Sequence, residues 1–222
     1  MSMDNILFVS YCTQCNIQFD KTPNFKLVVF CYCDNKNSND YPFKPDLFYT
    51  IKTECKGDLI YEQTRILRSC DYKYAAMYDD DIVVKVSDIE KTFQIAEENN
   101  LDLFAPSLTK KSYGTFPFTF NHGTGIRETE WIEIMMPHFS KKFMDEFIKH
   151  LDNLSSYNLK SGWGYDIKLF PYILNEISGK CAVIDDVQVT HKNPITSNAR
   201  TFSNGLSAGE ELNIVNHYVN QL

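Results

Sequence analysis

Three consecutive carboxylates close an apolar run in Tyr74-Ala75-Ala76-Met77-Tyr78-Asp79-Asp80-Asp81. Like charges this close repel one another unless something positive sits among them, and hard oxygen donors of this kind suit Mg²⁺ or Mn²⁺. Alternate residues of an extended segment point the same way, so Asp79 and Asp81 are expected to share one ion while Asp80 faces a different group. The competing reading is a solvated acidic loop, the usual end of a charge run. Position favours the ligand reading, because open α/β sheets bind ligands outside the carboxyl ends of their strands. A second constellation, Ser161-Gly162-Trp163-Gly164-Tyr165-Asp166, opens a helical pattern. Glycines on both sides of Trp163 permit close backbone approach, and Asp166 is either a general base or a partner of the helix dipole. His191 follows an apolar run late in the chain and reads as a ligand or as a satisfied structural histidine.

The elements that must position these groups alternate between strand and helix. Strands are expected over 6–9, 26–33, 46–50, 74–78, 101–108, 115–120, 130–135, 181–184 and 187–190. Helices are expected over 57–70, from Ser87 to about 99 with Glu90 closing a capping box, after Ser140, over 166–177 and from Ala208. Strands interleaved with amphipathic helices specify an α/β fold with a helix-covered mixed sheet in one domain. The run over 26–33 is apolar on both faces, as a central strand requires.

Composition narrows the functional classes. A chain of 222 residues with 43% hydrophobic and 14% aromatic side chains can bury a sizeable core, which excludes disorder over most of its length. Its longest apolar stretch, 27–33, is far short of a membrane span. The first residues carry an acid and no base ahead of Ile6, so a secretory signal is not expected and a cytoplasmic location is. A net charge of −7 argues against a broad nucleic-acid footprint, so an anionic ligand must be met locally. Seven cysteines are an odd count. Cys12-x-x-Cys15 with Cys31-x-Cys33 has the outline of a zinc ribbon without its second two-residue spacing, so buried free thiols in a reducing compartment are expected.

The motifs resemble a known family. Tyr78-Asp79-Asp80-Asp81 resembles the DxD motif of GT-A glycosyltransferases, whose carboxylates hold Mn²⁺ or Mg²⁺ against the diphosphate of a nucleotide sugar. The run from Glu130 to Ser140, the segment Gly162 to Asp166, and Ala182 to Asp186 followed by Val189 to His191 resemble the VEIMAPxFS, GWGLD and GVVDxxxVxH segments of DUF707-type glycosyltransferases. The likeness spans about residues 52–194, with Tyr165 where that family has Leu. The whole chain is also similar to N-terminal glycosyltransferase domains encoded by large algal viruses, which would place it in the host cytoplasm.

The resemblance implies a GT-A, Rossmann-like fold over 1–195, with a nucleotide-sugar half over 1–86 and an acceptor half over 87–195. A polar loop and helix would follow over 196–222. It implies that Asp79, Asp81 and His191 bind the metal and that Asp166 takes the proton of an acceptor hydroxyl. Glu130, Glu133 and Asp185 are next in line for that role. Trp163 would stack on a sugar. Lys56 and Arg65 are candidates for phosphate or sugar contacts, Asp34 for the nucleoside, and Ser10 and Tyr11 for the base pocket; Asp80 would complete the donor site. The expected activity is metal-dependent transfer of a hexose or deoxyhexose, with inversion, from a UDP-sugar to a glycan or glycoprotein hydroxyl. A metal-dependent nucleotidyltransferase or phosphohydrolase would also use clustered aspartates. A non-catalytic carbohydrate-binding module would use the exposed aromatics and need no acidic triplet.

Overall fold

The computed structural model describes residues 4–34, 36–194 and 200–222; residues 195–199, within the polar stretch expected after Pro194, lie outside the described residues. In chain order the strands are β1 (Asn5–Tyr11), β2 (Ile17–Gln18), β3 (Lys26–Cys31), β4 (Leu47–Thr50), β5 (Tyr74–Tyr78) and β6 (Ile82–Lys85). They continue with β7 (Leu103–Leu108), β8 (Ile126–Glu128), β9 (His138–Ser140) and β10 (Cys181–His191). The helices are α1 (Lys56–Leu67), α2 (Val86–Asn99), α3 (Lys141–Leu154), α4 (Phe170–Glu176) and α5 (Ala208–Val219).

Among the described residues the strands form one sheet in the order β2-β6-β10-β7-β9-β5-β1-β3-β4, with β8 paired to β10. The half containing β4, β3, β1 and β5 is parallel. The chain runs outward from β1 to β3 and β4, then returns through α1 to β5 on the other flank of β1. That reversal opens a crevice at the carboxyl ends of β1 and β5. The other half is mixed: β9 lies antiparallel between β5 and β7, and β10 runs parallel to β7 but antiparallel to β6 and β8. Every residue of β5 is buried, as a strand covered on both faces must be. Phe139, Phe143, Phe147 and Phe170 pack together where α3 and α4 cover the sheet. His138 is buried among Tyr78, Phe93 and Phe104, and its pKa is pushed down to about 3 by that burial, so it is a neutral core residue.

Several local expectations are corrected. The expected strand over 115–120 is irregular around a 3₁₀ turn at Pro117–Thr119, because a proline inside the run removes a ladder donor. The expected strand over 130–135 is loop, and the pairing falls instead on His138–Ser140. The two late strands are one, β10, whose register shifts between Ile184 and Gln188. Asp185 and Asp186 sit at that bulge, where Asp185 is held by Arg127 Nε at 2.5 Å and Asp186 accepts from the Gly125 amide at 2.8 Å. Helix α2 begins at Val86, one residue before the expected cap. Ser87 gives its hydroxyl and amide to Asp20 at 2.5 and 3.1 Å, and Glu90 receives Lys21 and the Asn24 amide, so the cap comes from a remote segment and no capping box forms. The helix expected over 166–177 starts as a π-helical turn, Tyr165–Leu169, before α4.

The thiol expectation is corrected as well. Cys12 and Cys33 are joined in a disulfide with Cα atoms 5.1 Å apart, while Cys15 and Cys31 are free. The cause is tertiary: β1 and β3 are parallel neighbours with Tyr11 opposite Cys31, which leaves the residues just past their ends side by side.

Candidate functional site

The crevice at the strand ends holds a cavity of about 210 Å³ lined by Ser10, Tyr32, Cys55, Lys56, Asp79 and Asp80 among others. Ser10, buried one residue before the end of β1, lines this cavity, and its hydroxyl has no hydrogen-bond partner. A wider groove of about 490 Å³ lies around Asn5, Lys21 and Glu90, at the amino end of β1 and away from these groups.

The three aspartates occupy the tight turn between β5 and β6 and do not face one ion as an extended segment would have them do. Each meets a different partner. Lys56, first residue of α1, pairs with Asp79. The Tyr32 hydroxyl donates to Asp80 at 2.5 Å. His191, last residue of β10, lies with Nε2 3.1 Å from Asp81, and its Nδ1 is 2.6 Å from the Tyr113 carbonyl oxygen. Burial raises the pKa of Asp79 against the opposing pull of Lys56, and raises that of Asp80 against Tyr32. Burial would also raise Asp81, but the hydrogen bond and charge of His191 outweigh it and leave Asp81 below the usual carboxylate range. Burial would lower His191, yet Asp81 and the Tyr113 carbonyl carry it up to about 9.

Behind the turn stand two further carboxyls. Asp166, at the start of the π-helical turn, has its pKa raised by burial to about 6, although the Ile167 and Ile134 amides, at 2.9 and 3.4 Å, draw it back. Burial also raises Glu133 to about 7, with Asp166 and Asp79 adding to the rise and His191 opposing it. Its Oε2 is buried without a partner. Glu133 is thus within electrostatic reach of Asp79, Asp166 and His191 together. Its segment is loop, so the strand pattern read over 130–135 gave no sign of which way it faced.

The other sequence candidates divide. Trp163 is 43% exposed beside Gly162 and Gly164, both at positive φ, and is free to offer a ring face. Tyr11 is buried, its hydroxyl spent on the Asp40 carbonyl at 3.0 Å and its ring edge-on to Tyr41, so it serves the core and does not line the cavity. Asp34 is exposed and is not among the cavity's lining residues. Arg65 faces outward with its side chain 63% exposed and pairs with Glu62 one turn back on α1. Glu130 is also absent from the cavity wall, and Asp185 is engaged by Arg127. Tyr32, Cys55 and Tyr113 were not singled out from sequence; only the fold brings them here.

The donor chemistry fits a divalent cation. Lys56 and His191 oppose three carboxylates, with Glu133 and Asp166 behind, so negative charge remains in excess, and Glu133 Oε2 is an orphaned hard donor. Among the described residues no three His, Cys, Asp or Glu side chains already form a metal cage, because each aspartate is turned to its own partner.

No known family profile matches the chain, and no curated protein matches it in sequence. Its fold does match solved structures. Residues 1–349 of Staphylococcus aureus TarS, in complex with UDP-GlcNAc, superpose with a TM-score of 0.61 at 10% identity over 98% of this chain and 65% of that one. TarS 1–349 in a second crystal structure gives a TM-score of 0.53 at 13% identity, covering 84% of this chain and 59% of that one. The chain therefore spans less than two thirds of the TarS segment it matches. At these identities the likeness establishes the fold, a GT-A-like mixed α/β domain.

Proposed function

We propose that this protein is a metal-dependent, inverting glycosyltransferase that moves a hexose or deoxyhexose from a UDP-sugar to a hydroxyl of a glycan or glycoprotein. The observation that carries the reading is the gathering, at one sheet edge, of a cavity with an unpartnered hydroxyl, an acidic turn and a buried carboxyl of raised pKa. The TarS likeness supports it, since that fold was captured with a nucleotide sugar. In this reading residues 1–86 hold the donor and 87–195 receive the acceptor, with 196–222 as the polar loop and C-terminal helix that follow. A distant kinship with the DUF707-type and viral glycosyltransferases is part of the same proposal.

Donor binding falls to Ser10, whose free hydroxyl suits a nucleobase or ribose polar group, and to Lys56, whose ammonium, beside Asp79 in the cavity wall, would oppose the charge of a diphosphate. Asp79, Asp81 and His191 would hold Mn²⁺ or Mg²⁺, with His191 giving up the proton on Nε2. When bound, the ion neutralises charge on the departing nucleoside diphosphate. Asp166 accepts the proton of the acceptor hydroxyl as that oxygen attacks the anomeric carbon. A carboxyl with a pKa near 6 is a better base than an ordinary aspartate and is still ionised at neutral pH. Trp163 supplies a face for the acceptor sugar.

The test is a thermal-shift panel of UDP-sugars with and without Mn²⁺, followed by product analysis. Binding to the native state raises the melting temperature through RT ln(1 + [L]/Kd). Transfer or slow hydrolysis yields UDP. Release of a sugar phosphate would instead identify attack at phosphorus and overturn the reading, as would an Asp81→Asn protein that still responds to UDP and Mn²⁺ like the parent.

A further inference from the structure

We infer that Glu211, on α5, is a positioning residue for transfer, fixing the backbone that presents Trp163 and Asp166; this rests on the transfer reading above. Glu211 has no solvent exposure at all. A buried carboxylate is costly unless hydrogen bonds saturate it. Its Oε1 accepts from the Lys160 amide at 2.8 Å and Asn204 Nδ2 at 2.7 Å, and its Oε2 from the Ser161 amide at 2.7 Å and the Ser161 hydroxyl at 2.6 Å. No Lys or Arg side chain is among these donors; the Lys160 ammonium is 2.9 Å from Asp58 instead. The Ser161 hydroxyl oxygen in turn accepts from the Trp163 amide at 3.0 Å. One unbroken chain of hydrogen bonds therefore runs from Glu211 to the backbone of Trp163.

Helix α5 does not need Glu211 merely to stay attached. Ala208 and Val215 are buried, and the Tyr218 hydroxyl lies 2.8 Å from His150 Nδ1 and accepts from Asn153 Nδ2 at 2.9 Å. The loop does need it. Gly162 and Gly164, at φ +78° and +91°, leave the backbone around Trp163 with little stiffness of its own. Its position is set from two sides: the Gly57 amide donates to the Lys160 carbonyl at 2.7 Å from the start of α1, and Glu211 grips it from α5. The grip links the C-terminal segment to the group proposed as base, since the π-helical turn carrying Asp166 begins right after Gly164.

The chain has two tryptophans, so a Trp131→Phe background makes Trp163 the only indole reporter. In that background Glu211→Gln, which keeps the shape but opposes an amide to the loop's donors, should raise acrylamide quenching of Trp163. In the otherwise unaltered chain it should lower kcat by about 10²-fold, the scale of a misplaced reacting group, with UDP binding unchanged. Tyr218→Phe weakens the attachment of α5 to α3 by removing its hydrogen bonds with His150 and Asn153, and leaves the Glu211 hydrogen bonds untouched. If it lowers kcat as much as Glu211→Gln does at an equal loss of melting temperature, the role is structural and the inference fails. If Glu211→Gln does not fold, Ser161→Ala removes both hydroxyl hydrogen bonds that join Glu211 to the Trp163 amide, leaves the Lys160 and Ser161 amides on Glu211, and should show the same quenching and kcat changes, weaker in degree; unchanged values overturn the inference. Should the parent transfer no sugar, the glycosyltransferase reading fails by itself. The quenching arm still decides whether Glu211 fixes the loop.

Discussion

Asp166→Asn separates a buried base from a helix-dipole partner by the sign of its effect on stability. A carboxylate that merely complements a helix start is stabilising, and neutralising it lowers the melting temperature. Here burial dominates, and the side chain's pKa rises from the ordinary 3.8 to about 6. The native state therefore holds this proton more tightly than the unfolded chain does. Below pH 4 both states are protonated and the site costs nothing. As pH rises from 4 to 6 the unfolded state ionises first, and above 6 the native state carries the whole penalty, about 3 kcal/mol at 1.36 kcal/mol per pKa unit. Asp166→Asn removes that penalty, and its amide oxygen still accepts a backbone amide. The variant should melt roughly 6–12 °C above the parent at pH 8, by the usual 2–4 °C per kcal/mol for a chain of this size, and close to it at pH 4. Its transfer rate at saturating donor should fall by about 10²-fold or more. Melting curves at both pH values and single-donor kinetics are the assay. A variant less stable at pH 8, or a gain independent of pH, refutes the burial argument. A near-normal rate refutes the base assignment and moves it to Glu133.

Three further outcomes follow from the same geometry. Ser10→Ala should stabilise the free protein by about 1 kcal/mol, since it removes a buried hydroxyl with no partner, yet weaken UDP binding; calorimetry of both quantities checks the opposed signs. Gly57→Ala places a Cβ 2.7 Å from both the Gly162 nitrogen and the Lys160 oxygen, backbone atoms that must move, so it should cost about 1–3 kcal/mol in denaturant melts and weaken nucleotide binding by drawing Lys56 off Asp79. Arg65→Ala should change neither stability by more than about 0.5 kcal/mol nor nucleotide affinity, because its guanidinium is exposed and pairs with Glu62 on its own helix.

The class of fold and the two segments of greatest chemical interest are legible in the order of residues alone. Apolar runs separated by amphipathic helices force a layered sheet, and a strand that ends in three aspartates must present them at the sheet's carboxyl edge. Helix α3 was equally legible: its apolar stripe and Ser140 are local, and the Ser140 hydroxyl does accept the Phe143 amide. What failed locally was settled by remote partners. Ser87 looked like a cap until Asp20 arrived from a distant loop, and Arg65 shared a helix with Lys56 while facing the opposite way. Cys12 and Cys33 met only because β1 and β3 are parallel neighbours. The site is decided in the same manner. Which aspartate meets Lys56, Tyr32 or His191 depends on three separate segments converging on one turn, and the raised pKa of Asp166 and Glu133 comes from burial, which no residue possesses alone. Glu211 shows this most plainly: in sequence it is one of two glutamates opening an amphipathic helix. In the folded chain it is a fully buried carboxyl, saturated by Asn204 just before α5 and by Lys160 and Ser161 about fifty residues earlier, on the loop that carries Trp163.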